Sequence, residues 1–288
     1  MTATAALRSG LVEAWRRPRL VAGLFVLNVL WAVAAVWPFY AQLTTATARS
    51  PYAGVLARGL DFDVLAEVLQ RHPAVVTAAF SGVLVGLVAW MVLSWFLTAG
   101  VLGALRAPAP EAGLRSFVDA ALGRGLAMAR LQLLSLLPYG AALVVTVAFG
   151  AVAGWLGSRA ASPWTAVWAA LGGAVPGLVL WLWATTAVDL ARARAFVEEE
   201  PRMRRLLWSS LRQVPRWPCR CIAVQLLGGV LWIAVSLLYL ALGARSPFAF
   251  AGGLLLLTVL REALVVARIE IRLGVLGGTL ALAAADDS

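Results

Sequence analysis

The chain has 288 residues, 62% of them hydrophobic and 13% charged, with a mean hydropathy of +0.87. A soluble domain carries about 25% charged and about 45–50% apolar residues, so this composition excludes a disordered chain, a nucleic-acid-binding domain and an ordinary cytosolic enzyme. It points to a chain held mainly in lipid. The formal net charge is +10, and all 24 basic residues are Arg.

Arg8, Arg16, Arg17 and Arg19 precede an uncharged apolar run over 20–39. The h-region of a secretory signal is about 7–15 residues, so this longer run reads as an uncleaved first span, although Ala46-Thr47-Ala48 loosely resembles a cleavage site. Five further runs over 74–102, 131–156, 163–188, 222–242 and 248–274 also reach the about 20 apolar residues that a spanning helix needs. Lipid offers no partner to backbone N–H and C=O groups, so the runs should be helices; the alternating segments of about ten residues that mark a barrel are missing. The expected fold is all-α, a polytopic membrane helix bundle of six transmembrane helices in a single integral domain, 1–288. Its three hairpins fall at about 1–104, 105–190 and 191–288.

Between the spans lie two amphipathic segments. Over 61–71, Phe62, Leu65, Val68 and Leu69 share one side, Asp61 can cap and Pro73 can stop, which predicts a short helix on the outer surface. Over 201–214, Met203, Leu206, Leu207, Ser210 and Val214 fall at helical spacing. Arg202, Arg204, Arg205 and Arg212 fill the rest. Pro201 suits a first helical turn, and Glu198, Glu199 and Glu200 stand just before it. A helix of that kind lies among anionic headgroups.

Orientation follows from the Arg residues. With both termini cytoplasmic, 19 of the 24 Arg fall on the cytoplasmic side and only Arg49, Arg58, Arg71, Arg159 and Arg245 on the other. Trp37, Trp155 and Trp164 then mark outer boundaries, and Trp15, Trp208 and Trp217 inner ones. The expected location is the inner, cytoplasmic membrane, crossed several times.

A block of 21 residues recurs from Leu7, from Leu114 and from Leu207. Leu is first and Ser third in each, position twelve is Pro18, Gly125 or Pro218, and Arg16, Arg124 or Arg216 stands one or two places earlier. Gln132 and Gln225 coincide in the last two blocks. Each block reads as an amphipathic helix on the inner surface, a break, then a span, which suggests three hairpins of related design.

Charges at membrane depth are costly and mark functional candidates. The last span carries Arg261, Glu262, Arg268, Glu270 and Arg272; Arg261, Arg268 and Arg272 share one side, with Asp189 and Arg130 at similar depth on neighbouring spans. This charged inner-leaflet cluster, with Arg192, is either a pocket for a headgroup, ion or partner, or a structural network of ion pairs with snorkelling Arg. Gly173, Pro176 and Gly177 near the middle of the fourth span predict a kink or, in a transporter, a broken-helix site. Four Gly-xxx-Gly pairs, 82/86, 150/154, 173/177 and 274/278, read as close packing within the chain.

Signatures of catalysis are missing from the sequence: there is no metal-ligand cluster, no P-loop and no dinucleotide fingerprint, so neither metal nor cofactor is expected. Cys219 and Cys221 stand two residues apart and read as apolar filler, and His72 as a helix-end residue.

Asp189-Leu190-Ala191-Arg192 continuing into ARAFVEEEPRMRRLLWSSLRQVPRWP, together with LREALVVARIEIRLGVL near the end, resembles a recurrent bacterial pattern. The chain thereby resembles the membrane-domain family of glycerophosphoryl diester phosphodiesterases, including its stand-alone members. The resemblance implies a six-helix membrane scaffold in which Asp189 and Arg192 are structural. The catalytic barrel joined to this domain in some members has no counterpart here, so no catalytic residue carries over. The expected function is a non-enzymatic membrane component that holds lipids, through their anionic headgroups, or a protein partner against a basic cytoplasmic face, with no nucleic acid involved. The alternative is a permease-like transporter of a lipid or other amphiphile.

Overall fold

The computed structural model describes residues 2–48, 50, 62–107, 114–159, 162–198, 202–216, 218–244 and 251–286. Every regular element among them is an α-helix: α1 Ala3–Trp15, α2 Pro18–Thr47, α3 Phe62–Arg71, α4 Pro73–Arg106, α5 Leu114–Ser158, α6 Pro163–Val197, α7 Met203–Arg216, α8 Pro218–Ala244 and α9 Ala251–Asp286. Asp61, Glu199, Glu200, Pro201, Trp217, Arg49, Arg58 and Arg245 lie outside the described residues.

The helices begin where local chemistry directs. Pro18, Pro73, Pro163 and Pro218 each open a long helix, at the position where the missing N–H costs nothing. Thr2 caps α1 through a bond from the Ala5 N–H to its hydroxyl, and Ser162 and Thr165 form a reciprocal capping box at the start of α6.

Five of the helices are long and apolar enough to cross a membrane, over Pro18–Thr47, Pro73–Arg106, Leu114–Ser158, Trp164–Val197 and Arg220–Leu242, so this is a multi-pass membrane protein. The sixth predicted span falls on α9, whose charged residues between 261 and 272 keep it outside those five.

At Gly125 the expected break does not occur. Helix α5 runs through it without interruption for 45 residues. Glycine weakens a helix by about 1 kcal/mol but keeps its N–H, whereas proline both lacks that donor and clashes with the preceding turn. The Phe96 ring occupies the space beside Gly125, where a Cβ would fall 2.4 Å from Cδ1. Helix α6 is likewise continuous through Gly173, Pro176 and Gly177.

The chain divides into two compact units, 23–94 and 1–22 with 95–288. In the smaller, α2 and α4 meet at Trp31 and Trp90, with ring centroids 5.8 Å apart, and Gly82 lies against the Ala35 carbonyl. The α3 helix is held by buried Val68, and Val75 is buried at the start of α4. A Glu67–Arg71 pair closes α3 one residue before His72, which is exposed.

In the larger unit the buried side chains gather toward one end of the long helices. Most lie within 99–105 of α4, 121–131 of α5, 184–196 of α6, 206–214 of α7 and 269–283 of α9, with Ser135, Ala142 and Ala153 of α5 and Val224 of α8 buried outside these ranges. The other halves of α5 and α6 display Leu143, Val144, Val147, Trp164, Trp168 and Val179, as lipid-facing helices do. The α1 helix does not lie free on a surface. It buries Ala6, Leu7, Gly10 and Ala14 and packs along α9, where a Cβ on Gly10 would fall 2.1 Å from the Gly274 carbonyl oxygen. Gly274 and Gly278 thus admit a neighbouring backbone, and Gly173 and Gly177 admit Phe149, Ala153 and Thr146 of α5. Gly150 and Gly154 face nothing within 4 Å.

Candidate functional site

Asp189 stands about two turns from the α6 C-terminus and is fully buried. Its position along α6 is about 39 Å from Pro163 at 1.5 Å per residue, more than the about 30 Å of a hydrocarbon core, so the helix carries it to the polar boundary. Both carboxylate oxygens are occupied. Arg272 of α9 donates from Nη1 to Oδ2 at 2.7 Å and from Nη2 to Oδ1 at 2.8 Å. Arg192, one turn along α6, donates from Nη1 to Oδ1 at 2.8 Å. Gln225 of α8 donates from Nε2 to Oδ2 at 2.7 Å. Arg192 also donates from Nη2 to the amide oxygen of Gln132 on α5. One side chain from each of α5, α8 and α9 therefore converges on a single turn of α6.

A carboxylate is stable without water only when its lone pairs are taken up and its charge is balanced. Four donors and two guanidiniums do both here, and the arrangement keeps one positive charge in excess. The Arg272 side chain is 44% exposed and the Arg192 side chain 13%, so the excess faces outward through Arg272. Tyr139 packs beside this region against Trp181, with ring centroids 5.1 Å apart.

Of the charged residues expected to cluster, the structure brings together Asp189, Arg192 and Arg272. Arg130 and Arg261 are exposed and Glu262 is half-buried away from the carboxylate. Arg268 stacks over Trp232 at 5.8 Å, and Glu270 faces a groove beside α1. The physical reason is rotation along α9: a stripe of three Arg shares a side, but only one of them stands at the level of Asp189. Gln132 and Gln225, which the repeat pattern aligns, complete the cluster; polar amides in two otherwise apolar spans were the available signal.

A second set of Arg contacts closes helix ends. Arg17, buried in the break between α1 and α2, donates to the Leu105 carbonyl at 3.2 Å and the Ala107 carbonyl at 2.9 Å, and pairs with Glu13. Arg124 donates to the Ala195 carbonyl and lies 4.9 Å over the Phe196 ring, and Arg106 donates to the Phe196 carbonyl. The last carbonyls of a helix have no partner within it and carry its negative dipole end, which a guanidinium satisfies. Arg17 and Arg124 stand at the same place, the eleventh, in their 21-residue blocks, so Arg17 rather than Arg16 is the counterpart of Arg124.

The α7 helix has two unlike sides. Leu206, Leu207, Ser210, Leu211 and Val214 are buried, while Arg204, Arg205, Trp208 and Arg212 are exposed, as is Arg202 just before the helix. Its buried side packs against α5, α6 and α8. No group of three or more residues that could hold a metal ion occurs among the described residues. Cys221 packs between the core around Ala6 and Val224 and that around Leu190 and Ala283. Searches of protein-family models, of curated proteins and of solved structures found no match to this chain.

Proposed function

We propose that this chain is a non-catalytic component of a bacterial inner membrane that holds anionic lipid headgroups or a protein partner against a basic cytoplasmic face. In this reading α9 is a sixth span, the spans form three hairpins, and both termini are cytoplasmic. The observation that carries the reading is the two-sided α7: its apolar side is fully used in packing, and Arg202, Arg204, Arg205 and Arg212 are left outward with Trp208 between them. Clustered Arg beside a membrane attracts anionic headgroups, and an exposed Trp suits the interface.

Three further observations support it. The Asp189 carboxylate spends its acceptor capacity on Arg192, Arg272 and Gln225, which suits a structural tie and leaves little for acid–base work. The unbroken α6, with Gly173 and Gly177 filled by α5 side chains, favours a scaffold over a permease-like transporter. The matched roles of Arg17 and Arg124 support hairpins of related design. The resemblance of 189–217 to the phosphodiesterase membrane-domain family would imply a scaffold of this kind.

The test is purification of the full chain in mild detergent followed by native mass spectrometry. Wild type should retain anionic lipid or a partner subunit, and Arg204→Glu with Arg205→Glu should lose most of it; equal retention by the two contradicts the reading.

A further inference from the structure

A groove of about 570 Å³ runs between α1, α8 and α9. Its walls are apolar, with Leu231 and Val235 of α8 on one side. Its charged groups are Arg8 of α1, Arg16 just after that helix and Glu270 of α9. Arg16 is 66% exposed, with Glu13 no closer than 4.0 Å, and among the described residues neither Arg8 nor Glu270 has an ionic partner. Trp15, 73% exposed, stands between the two Arg at the end of α1.

The depth of these groups can be read from the helices. Gln225 meets Arg272 at the Asp189 boundary, and Leu231 and Val235 lie about 9 and 15 Å further along α8. The groove thus joins a cationic, Trp-marked rim to an apolar slot that continues into the hydrocarbon. A slot with that division matches one molecule that is charged at one end and aliphatic at the other.

We infer that the groove between α1, α8 and α9 is a selective site for an anionic glycerophospholipid, its phosphate held by Arg8 and Arg16 and one acyl chain laid against Leu231 and Val235. Guanidinium is the side chain best matched to phosphate oxygens. Two guanidiniums and one carboxylate leave the groove at one positive charge, which a singly charged phosphatidylglycerol neutralises and a net-neutral lipid does not. Glu270 accepts a hydrogen bond from a headgroup hydroxyl. The inference deepens the lipid-binding part of the proposed function and places that binding on a different surface from α7.

The experiment offers the detergent-solubilised full chain phosphatidylglycerol, phosphatidylethanolamine and phosphatidylcholine of identical acyl chains in equal amounts and counts retained lipids by native mass spectrometry. Wild type should prefer phosphatidylglycerol. Arg8→Gln with Arg16→Gln should reduce that preference about tenfold or more. Val235→Trp, which fills the slot and keeps both Arg, should do the same, so that a folding defect in the first variant cannot decide the outcome. Arg204→Glu with Arg205→Glu should lower the total of retained lipid while what remains keeps its preference for phosphatidylglycerol, and a loss of preference confined to that variant supports the α7 reading while overturning the groove. Glu270→Gln should keep or sharpen the preference for phosphatidylglycerol. Equal retention of the three lipids by wild type, an unchanged preference in both groove variants, or a preference for phosphatidylethanolamine that Glu270→Gln abolishes overturns the inference.

Discussion

Arg272 meets Asp189 through two parallel hydrogen bonds of 2.7 and 2.8 Å, across 83 residues of sequence, and so ties α9 to α6 at a carboxylate with no exposed surface. Paired in this way the two charges stabilise a single arrangement of the helices; parted, Arg272 loses its counterion and the buried Asp189 keeps only Arg192.

The first prediction concerns that pair. Asp189→Ala and Arg272→Ala should each lower the stability of the detergent-solubilised protein by about 3–5 kcal/mol, with the double variant clearly less than additive. Thermal unfolding of the four proteins closes the cycle; additive losses would mean that the two residues act separately. Arg272→Lys should recover only part of the loss, because an ammonium cannot make the paired contact.

The second concerns the helix-end contacts. Arg17→Gln and Arg124→Gln should each remove a charged donor from the last carbonyls of α4 and α6 and destabilise by about 1–3 kcal/mol. Hydrogen exchange should rise at 103–107 in the first variant and at 194–198 in the second. Exchange that rises uniformly along the chain would deny these Arg a local role.

The third concerns the α1–α9 crossing. A side chain on Gly10 meets the Gly274 backbone, so Gly10→Leu should detach α1 from α9 or cost more than the about 1–3 kcal/mol usual for overpacking. Protease accessibility of 3–15 is the measure: it should increase in Gly10→Leu and stay unchanged in Gly150→Leu, whose site is open.

Much of this was legible in the residues themselves. Long apolar runs can satisfy their backbones in lipid only as helices, and the alternation of Leu206, Leu207 and Val214 with Arg204, Arg205 and Arg212 marks both sides of α7 before any packing is known. Pairing across helices was less legible. Asp189 is visible as a charge at the end of a span, but which of Arg261, Arg268 and Arg272 reaches it depends on the height and rotation of α9, to which sequence spacing is blind. Gly274 and Gly278 announce a close neighbour without saying that it is α1. Gly125 occupies the place that Pro18 and Pro218 hold in the other blocks, yet α5 runs through it, whereas a new helix opens at each of those two prolines.

The proposed function stands on the Arg-rich end of the helices being cytoplasmic, and α5 offers a direct test. Arg115 and Ser158 stand near opposite ends of this one helix, about 65 Å apart at 1.5 Å per residue, and both are exposed. With Cys219 and Cys221 replaced by Ala, single cysteines at these two positions can be labelled in intact cells by a maleimide that crosses the outer but not the inner membrane. The account predicts that Ser158→Cys reacts in intact cells and Arg115→Cys reacts only after the inner membrane is opened. The reverse pattern, or equal reaction at both positions in intact cells, would contradict it.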